Sequence, residues 1–360
     1  MAEGPLSEEA VRDVLADFQD PETGRSITEL EQVHRLVLSD EKISVTLGLT
    51  TWSGPLREAT RAELADWLRR QFPGPEVRVE VAEHERPAEK IGEVGVPAKS
   101  VIAIASGKGG VGKSSVAAFL AFGLGRAGCK VGLLDADLYG PSIPHLIGAQ
   151  DLPTPVGDRF QPVVCRDVKV MSMGFLVPRD SPVVWRGPML HSALTQLLRD
   201  TDWKDLDYLI VDLPPGTGDL PISLSQLLPL TGALVVCTPQ EVALLDVVKA
   251  IAMFRKVNVD VLGMVENMSF FVCDECGARH EIFGSGGAKR RAAELGIPFL
   301  GEIPIVTRIR TLGDQGQTPA AMEDEKLGPY LEALCRRLAE NLSARRREHP
   351  GAPGLTVLGG

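Results

Sequence analysis

The sequence predicts an α/β protein: a doubly wound, mostly parallel sheet, preceded by a small α/β domain. Three observations carry that reading. From Val101 onward, short apolar runs alternate with helical stretches, as expected of parallel strands buried on both faces between crossover helices. The first such run, VIAIAS, leads directly into a glycine-rich loop and then a helix. Residues 1–84 have a different texture, with a hairpin pattern, helical patterns and one alternating strand.

In chain order, Ser7 caps a helix running through VRDVLADF. VHRLVLSDEKISVTLGL places two apolar-rich runs around a polar Ser-Asp-Glu-Lys turn, a hairpin. LREATRAELADWLRRQF has helical periodicity, and PEVRVEVAE alternates as a strand. Residues 85–99, ERPAEKIGEVGVPAK, mix Pro, Gly and charge and are expected to be a linker. The second domain is expected over 100–344. Its strands are VIAIAS, KVGLLDAD, VKVMSMGF, DYLIVDL, GALVVCTP, VLGMVENM and PFLGEIP, with helices at SSVAAFLAFGLGRAG, MLHSALTQLLRD and ALLDVVKAIAMFRKV. Residues 345–360, RRREHPGAPGLTVLGG, are expected to be a disordered tail.

Composition narrows the function classes. The chain has 360 residues, 44% of them apolar, enough for more than one core. Its net charge of −10 argues against a nucleic-acid surface, which needs a basic face. No apolar run approaches the ~18 residues of a membrane span, and MAEGPLSEEA is not a signal peptide, so a cytoplasmic location is expected. Six cysteines in a chain of this length are not a disulfide framework. Cys129, Cys165, Cys237 and Cys335 are scattered. Cys237, within ALVVC, and Cys335, on a helix with Leu331, Leu334 and Leu338, are expected in the core.

GKGGVGKS, residues 107–114, satisfies the phosphate-loop pattern in the strand–loop–helix context that gives it meaning. Its glycines let successive backbone N–H groups curl around phosphate oxygens. Lys113 reaches the β and γ phosphates, Ser114 ligates Mg²⁺, and the helix N-terminus adds a favourable dipole. Gly107, Gly109, Gly110, Val111, Gly112, Lys113, Ser114 and Ser115 are therefore assigned to nucleotide. Asp135 and Asp137 leave the carboxyl edge of the next strand, where ligands sit in such sheets. Asp212 follows four apolar residues in YLIVDLPPGTGD, a Walker B position that holds Mg²⁺ through water. Pro214, Pro215, Gly216, Thr217 and Gly218 form a loop able to sense the γ-phosphate. Lys108 lies too early to share the role of Lys113 and is expected to project from the loop's outer side.

FFVCDECGARH, residues 270–280, contains C-x-x-C-G, with both sulfurs able to face one centre. Three chemistries compete. A redox dithiol normally opens a helix, and none follows at once. A closed zinc site needs four ligands; His280 is a third candidate and no fourth is evident. Two thiolates from each of two chains would complete the four ligands of a [4Fe–4S] cluster.

K-G-G-V-G-K-S resembles the deviant Walker A loop of the MinD and nitrogenase-iron-protein class. That resemblance implies that Lys108 reaches across a dimer interface to the partner's nucleotide. GKGGVGKS, DADLYGPSIPHLIG, VVWRGPML, DLPPGTGD, CTPQEVALLDV, VENMSFFVCDECG and IFGSGG run in order over residues 101 to about 320. Together they resemble the Mrp/ApbC family of iron–sulfur cluster carrier ATPases, a MinD-like branch of the P-loop NTPases. The resemblance implies slow ATP hydrolysis, a homodimer, and transfer of a [4Fe–4S] cluster to apo-proteins, with cluster assembly scaffolds as further partners. It also implies that Asn267 contacts adenine, that Asp137 positions the attacking water, and that Cys273 and Cys276 hold the cluster. The N-terminal block, with FQDPETGRSITEL, resembles the small iron–sulfur assembly domain often fused ahead of these ATPases. That domain commonly has a cysteine directly before a proline; here Gly54 precedes Pro55 and the block has no cysteine, so a docking or regulatory role is expected.

Two rival classes share parts of this pattern. A partition or division-site ATPase of the MinD/ParA type would need a membrane-targeting helix or a basic face. The stripe Leu327, Leu331, Leu334, Leu338 and Leu342 is better explained as core. A zinc-stabilised NTPase would be colourless where a cluster protein is brown.

Overall fold

The computed structural model describes residues 6–39, 41–137, 140–175, 187–216, 220–273 and 275–350. Helix α1 (Glu8–Ala16) starts at Ser7, whose side chain accepts from the Ala10 N–H, the expected cap. Strands β1 (Val33–Ser39) and β2 (Lys42–Leu49) form the expected antiparallel hairpin. A 3-10 turn over Thr51–Leu56 leads into α2 (Arg57–Gln71), which crosses over to place β3 (Glu76–Glu83) parallel to β2. Leu64 and Leu68 of α2 pack on Val45, Leu47 and Val79 to make this domain's own core. Each fully buried aliphatic side chain contributes about 1.5–3 kcal/mol by leaving water.

Residues 85–99 are not a free linker. Strand β4 (Lys90–Ile91) pairs antiparallel with the start of β5 (Val96–Ser106), which begins earlier than the apolar run alone indicated. The turn between them is seated on the second domain, where Glu93 N–H donates to the Leu227 carbonyl. The rest follows in order: α3 (Lys113–Arg126), β6 (Val131–Asp135), α4 (Ile143–Leu146), β7 (Thr154–Val156), β8 (Arg159–Gln161), β9 (Val163–Cys165), β10 (Val168–Ser172), α5 (Gly187–Arg199), β11 (Leu206–Asp212), α6 (Leu220–Leu227), β12 (Gly232–Cys237), α7 (Glu241–Lys256), β13 (Val261–Val272), β14 (Arg279–His280), α8 (Gly287–Leu295), β15 (Phe299–Ile305), α9 (Thr307–Asp314) and α10 (Gly328–Glu348).

Strands β10, β6, β11, β5, β12, β13 and β15 lie side by side and parallel, in that order; β9 and β14 add antiparallel pairs. Helices α3 and α10 cover one face, and α5, α6, α7 and α8 the other, so two apolar clusters sandwich the sheet. The leucine stripe of α10 is buried, with Leu331 and Leu338 fully enclosed against α3 and the sheet. Gly123 permits that approach: a Cβ there would lie 2.5 Å from Cys335 Sγ. Such packing offsets the ~1 kcal/mol that a mid-helix glycine costs.

The expected disordered tail is corrected in part. Helix α10 continues to Glu348, because Arg346 is pulled into the contact with the first domain. Residues 351–360 lie outside the described residues.

Candidate functional site

Most of the described residues assigned to nucleotide gather at the carboxyl ends of β5, β6 and β11, while Asn267 lies on β13. The loop leaves β5 at Ser106, whose hydroxyl donates to the Lys108 carbonyl at 2.9 Å. Gly110 and Gly112 take left-handed φ values of 78° and 80°, which lets the chain curl before α3 begins at Lys113. Gly107 has no room for a side chain, since a Cβ would overlap the Asp246 backbone in α7. Val111 is buried, and Ser115 lies half-buried in the first turn of α3. Gly109 faces the Pro214–Gly216 loop, with Pro215 Cγ 3.9 Å from its Cβ position. Gly216 N–H donates to the Ser106 carbonyl at 2.9 Å. Thr217 and Gly218 lie outside the described residues, as does the first half of VVWRGPML.

Lys113 is buried, and its Nζ contacts Asp212 Oδ1 at 2.5 Å, Ser114 Oγ at 3.3 Å and Asp137 Oδ2 at 3.8 Å. Asp135 sits beside Asp212 on the adjoining strand, the two being direct register partners. The Asp135 carboxylate accepts from the N–H groups of Asp137 and Ile143 and from Ser172 Oγ, at 3.0–3.1 Å. Burial, followed by the Asp212 charge, pushes the Asp135 carboxyl up to about 7. Burial raises Asp212 as well, and Lys113 opposes that shift. Asp212 Oδ2 is enclosed without a hydrogen-bond partner. An orphaned carboxylate oxygen next to the Ser114 hydroxyl fits a hydrated Mg²⁺, and Ser114 and Asp212 are the residues that would hold it. The pocket can bind polyphosphate through backbone N–H groups and Lys113, with Asp137 at its rim.

Lys108 is half-exposed on the outer part of the loop, and its ammonium makes no ion pair with any described residue. Asn267, near the carboxyl end of β13, lies against the loop from the other side: its Nδ2 donates to the Val111 carbonyl at 2.9 Å.

Five residues beyond Asn267 the same strand ends at Val272, and Cys273 follows it. Cys273 N–H donates to the Ala278 carbonyl and Gly277 N–H donates to the Cys273 carbonyl, both at 2.9 Å. With Gly277 at φ 70°, this closes a tight knuckle between β13 and β14. Cys276 is exposed and Cys273 half-buried. His280 lies across from Phe271, with ring centres 6.2 Å apart. Among the described residues no three His, Cys, Asp or Glu side chains form a group able to hold a metal. Cys129, Cys237 and Cys335 are buried, and burial pushes each thiol up.

Sequence reasoning did not find Ser172, which orients Asp135, or Glu266 and Ser269, which flank Asn267. A short polar residue in a strand carries no distinctive pattern.

A glycine-rich loop opening a helix at the end of a central parallel strand, with a buried aspartate across it, defines a P-loop NTPase. The sequence family described as NUBPL iron-transfer P-loop NTPase matches residues 97–341, and the chain belongs to that family. A second family, described as an iron-sulfur cluster assembly protein, matches residues 8–81. The chain is 44% identical over 341 residues to an iron-sulfur cluster carrier protein of Deinococcus radiodurans, covering 94% of this chain and 96% of that one. It is 41% identical over 349 residues to the iron-sulfur cluster carrier protein of Escherichia coli K12, covering 93% and 91%. Among solved structures, a nucleotide-binding protein of Archaeoglobus fulgidus in complex with ADP is similar at 41% identity and a TM-score of 0.56. That match covers 62% of this chain and 88% of the other.

Proposed function

We propose that this protein is an ATP-hydrolysing carrier of iron–sulfur clusters that acts as a homodimer in the cytoplasm. Each chain supplies Cys273 and Cys276, and the two pairs hold one [4Fe–4S] cluster as cargo between the subunits. The cluster is received from assembly scaffolds and passed to apo-proteins. The observation that carries the reading is that one strand, β13, touches the phosphate loop through Asn267 and ends in the cysteine knuckle. Two thiols per chain fall short of the four a cluster takes, so a second chain is the natural source of the rest.

In this reading Lys113 and the loop amides bind the β and γ phosphates, and Ser114 and Asp212 hold Mg²⁺. Asn267 contacts adenine, and Asp137 positions the attacking water. Lys108 reaches the partner's nucleotide, which fits an ammonium without an ion pair among the described residues. Val242 and Leu245 are 67% and 58% exposed at the start of α7, the helix against which Gly107 packs, and an apolar patch there suits a subunit contact. A membrane-directed partition role is disfavoured, because the stripe of α10 is spent on the core.

The test is anaerobic reconstitution with iron and sulfide counting, with and without nucleotide, alongside the mass of the loaded species. About two irons and two sulfides per chain in a dimer are expected. Four irons on a monomer, or full loading of Cys273→Ala, would overturn the bridged arrangement.

A further inference from the structure

Strand β13 does more than connect the two sites. Asn267 faces Ile303 of β15, and the next register pair is Phe271 with Ile305. Three residues of β13, Met268 to Phe270, therefore stand opposite one of β15, which makes a bulge. Met268 sits in the left-handed region at φ 56°, a costly conformation for an unbranched L-residue, kept only where its surroundings hold it.

Each residue of the bulge is held by something different. The methyl of Met268 reaches the phosphate loop, 3.7 Å from the Cβ position of Gly112. Ser269, fully buried, donates to Glu266 Oε1 at 2.5 Å. Glu266 is also fully buried, and its other oxygen accepts from Ala288 N–H at 2.8 Å, at the start of α8. Phe270 is 1% exposed, with the Arg279 guanidinium 3.7 Å from its ring centre and Tyr330 edge-on at 5.8 Å. Arg279 stands opposite Val272, on the return arm of the knuckle. The bulge thus grips both arms of the cysteine hairpin: one through the main chain, the other through the cation–π contact. A buried carboxylate costs several kcal/mol to desolvate, and Glu266 uses both oxygens to tie the bulge to α8.

We infer that the Met268–Phe270 bulge couples nucleotide to cargo. A nucleotide entering the loop acts on Asn267 and Met268, and the bulge converts that contact into a change in the pitch of the Cys273–Cys276 hairpin. Glu266 and Ser269 are positioning residues that hold the bulge so that the change reaches the cysteines rather than dissipating. This rests on the reading of the loop as a nucleotide site and the knuckle as the cargo site. It assigns their communication to one element with two arrangements.

The test uses the full chain without cluster. The alkylation rates of Cys273 and Cys276 are followed by peptide-resolved mass spectrometry, with and without Mg²⁺ and a non-hydrolysable ATP analogue; nucleotide affinity is measured in parallel. In the unaltered protein, nucleotide is expected to change the rate several-fold. Ser269→Ala should keep the nucleotide affinity and the nucleotide-free rate while the ratio of the two rates falls to one. Ser269→Thr, which keeps the hydroxyl, should restore the ratio, an outcome that general loosening would not produce. Met268→Gly, which tolerates the left-handed φ but loses the contact with the loop, should also abolish the nucleotide effect. Tight nucleotide binding with no change in alkylation overturns the coupling and leaves the nucleotide site standing. An undiminished ratio in Ser269→Ala overturns it too. No nucleotide binding at all overturns the functional reading beneath it.

Discussion

The Arg346 guanidinium, near the end of the last helix, lies 4.6 Å from the ring centre of Trp52 in the first domain. Tyr208 of the central sheet stacks on the same indole at 5.5 Å and donates its hydroxyl to the Trp52 carbonyl. Ser100 joins the two, accepting from Trp52 Nε1 and from Arg346 Nη2, each at 2.9 Å. Arg346 also donates to the carbonyls of Lys99 and Glu22. Trp52→Ala should therefore cost about 3–5 kcal/mol and split a joint unfolding transition, the first domain melting separately. Denaturant unfolding followed by fluorescence and circular dichroism checks this; one unchanged transition would count against a locked interface.

Lys113 has two jobs. In the proposed function it is the main counter-charge for phosphate, and in the structure it pairs with the Asp212 and Asp137 carboxylates. Lys113→Ala should lose nucleotide binding in calorimetric titration. It should also melt earlier than the unaltered chain in the absence of nucleotide, since breaking a buried pair costs up to about 3–5 kcal/mol. Wild-type affinity would sink the loop assignment.

Lys108 makes no such ion pair among the described residues. Lys108→Ala should bind ATP normally and hydrolyse it at least about tenfold more slowly, equivalent to about 1.4 kcal/mol of barrier. Mixing it with Lys113→Ala should restore some turnover, because one composite site then has an intact loop and an intact visiting lysine. A strictly monomeric ATP-bound protein would rule this out.

Cysteine reactivity should divide sharply. Burial pushes the Cys335 thiol up to about 12, and Cys129 and Cys237 are raised for the same reason. At pH 8 a thiol with a pKa of about 12 is thiolate in only about one molecule in ten thousand. Iodoacetamide should label Cys276 first, and peptide mapping should find Cys129, Cys237 and Cys335 unmodified until the protein unfolds. Fast labelling of Cys335 in the folded state would contradict its burial.

The glycine before Pro55 has a steric explanation. A Cβ on Gly54 would overlap the Ala127 carbonyl oxygen and lie 3.1 Å from Cys129 Sγ. Gly54→Cys should therefore lower stability by about 1–3 kcal/mol, seen as a lower Tm, rather than add a usable thiol. A Gly54→Cys protein of undiminished stability whose introduced thiol reacts fast would show that the domains separate in solution.

The sheet was legible because parallel strands enclosed on both faces must be apolar throughout, as VIAIAS and YLIVD are. The phosphate loop was legible because its curvature demands glycine at fixed places. Residues 85–99 were not: β4 is two residues long and depends on the Leu227 carbonyl, which no local pattern announces. Arg346 stands in a run of three arginines that looks like a solvated helix end. Its burial is decided by Trp52, Glu22 and Lys99, far away in sequence. The left-handed Met268 leaves no trace either, since its neighbours rather than its own side chain impose the turn.

The clasp between Arg346 and the first domain also sets an order of events during synthesis. Its two sides are 324 residues apart along the chain, measured from Arg346 to Glu22. A ribosome adds roughly 5–20 residues per second, so the first domain waits many seconds, already able to fold around its own core, with the Trp52 face uncovered. Seating is possible only once α10 has emerged. In that interval the indole is exposed apolar surface, and it is withdrawn only once α10, the last of the described helices, is in place.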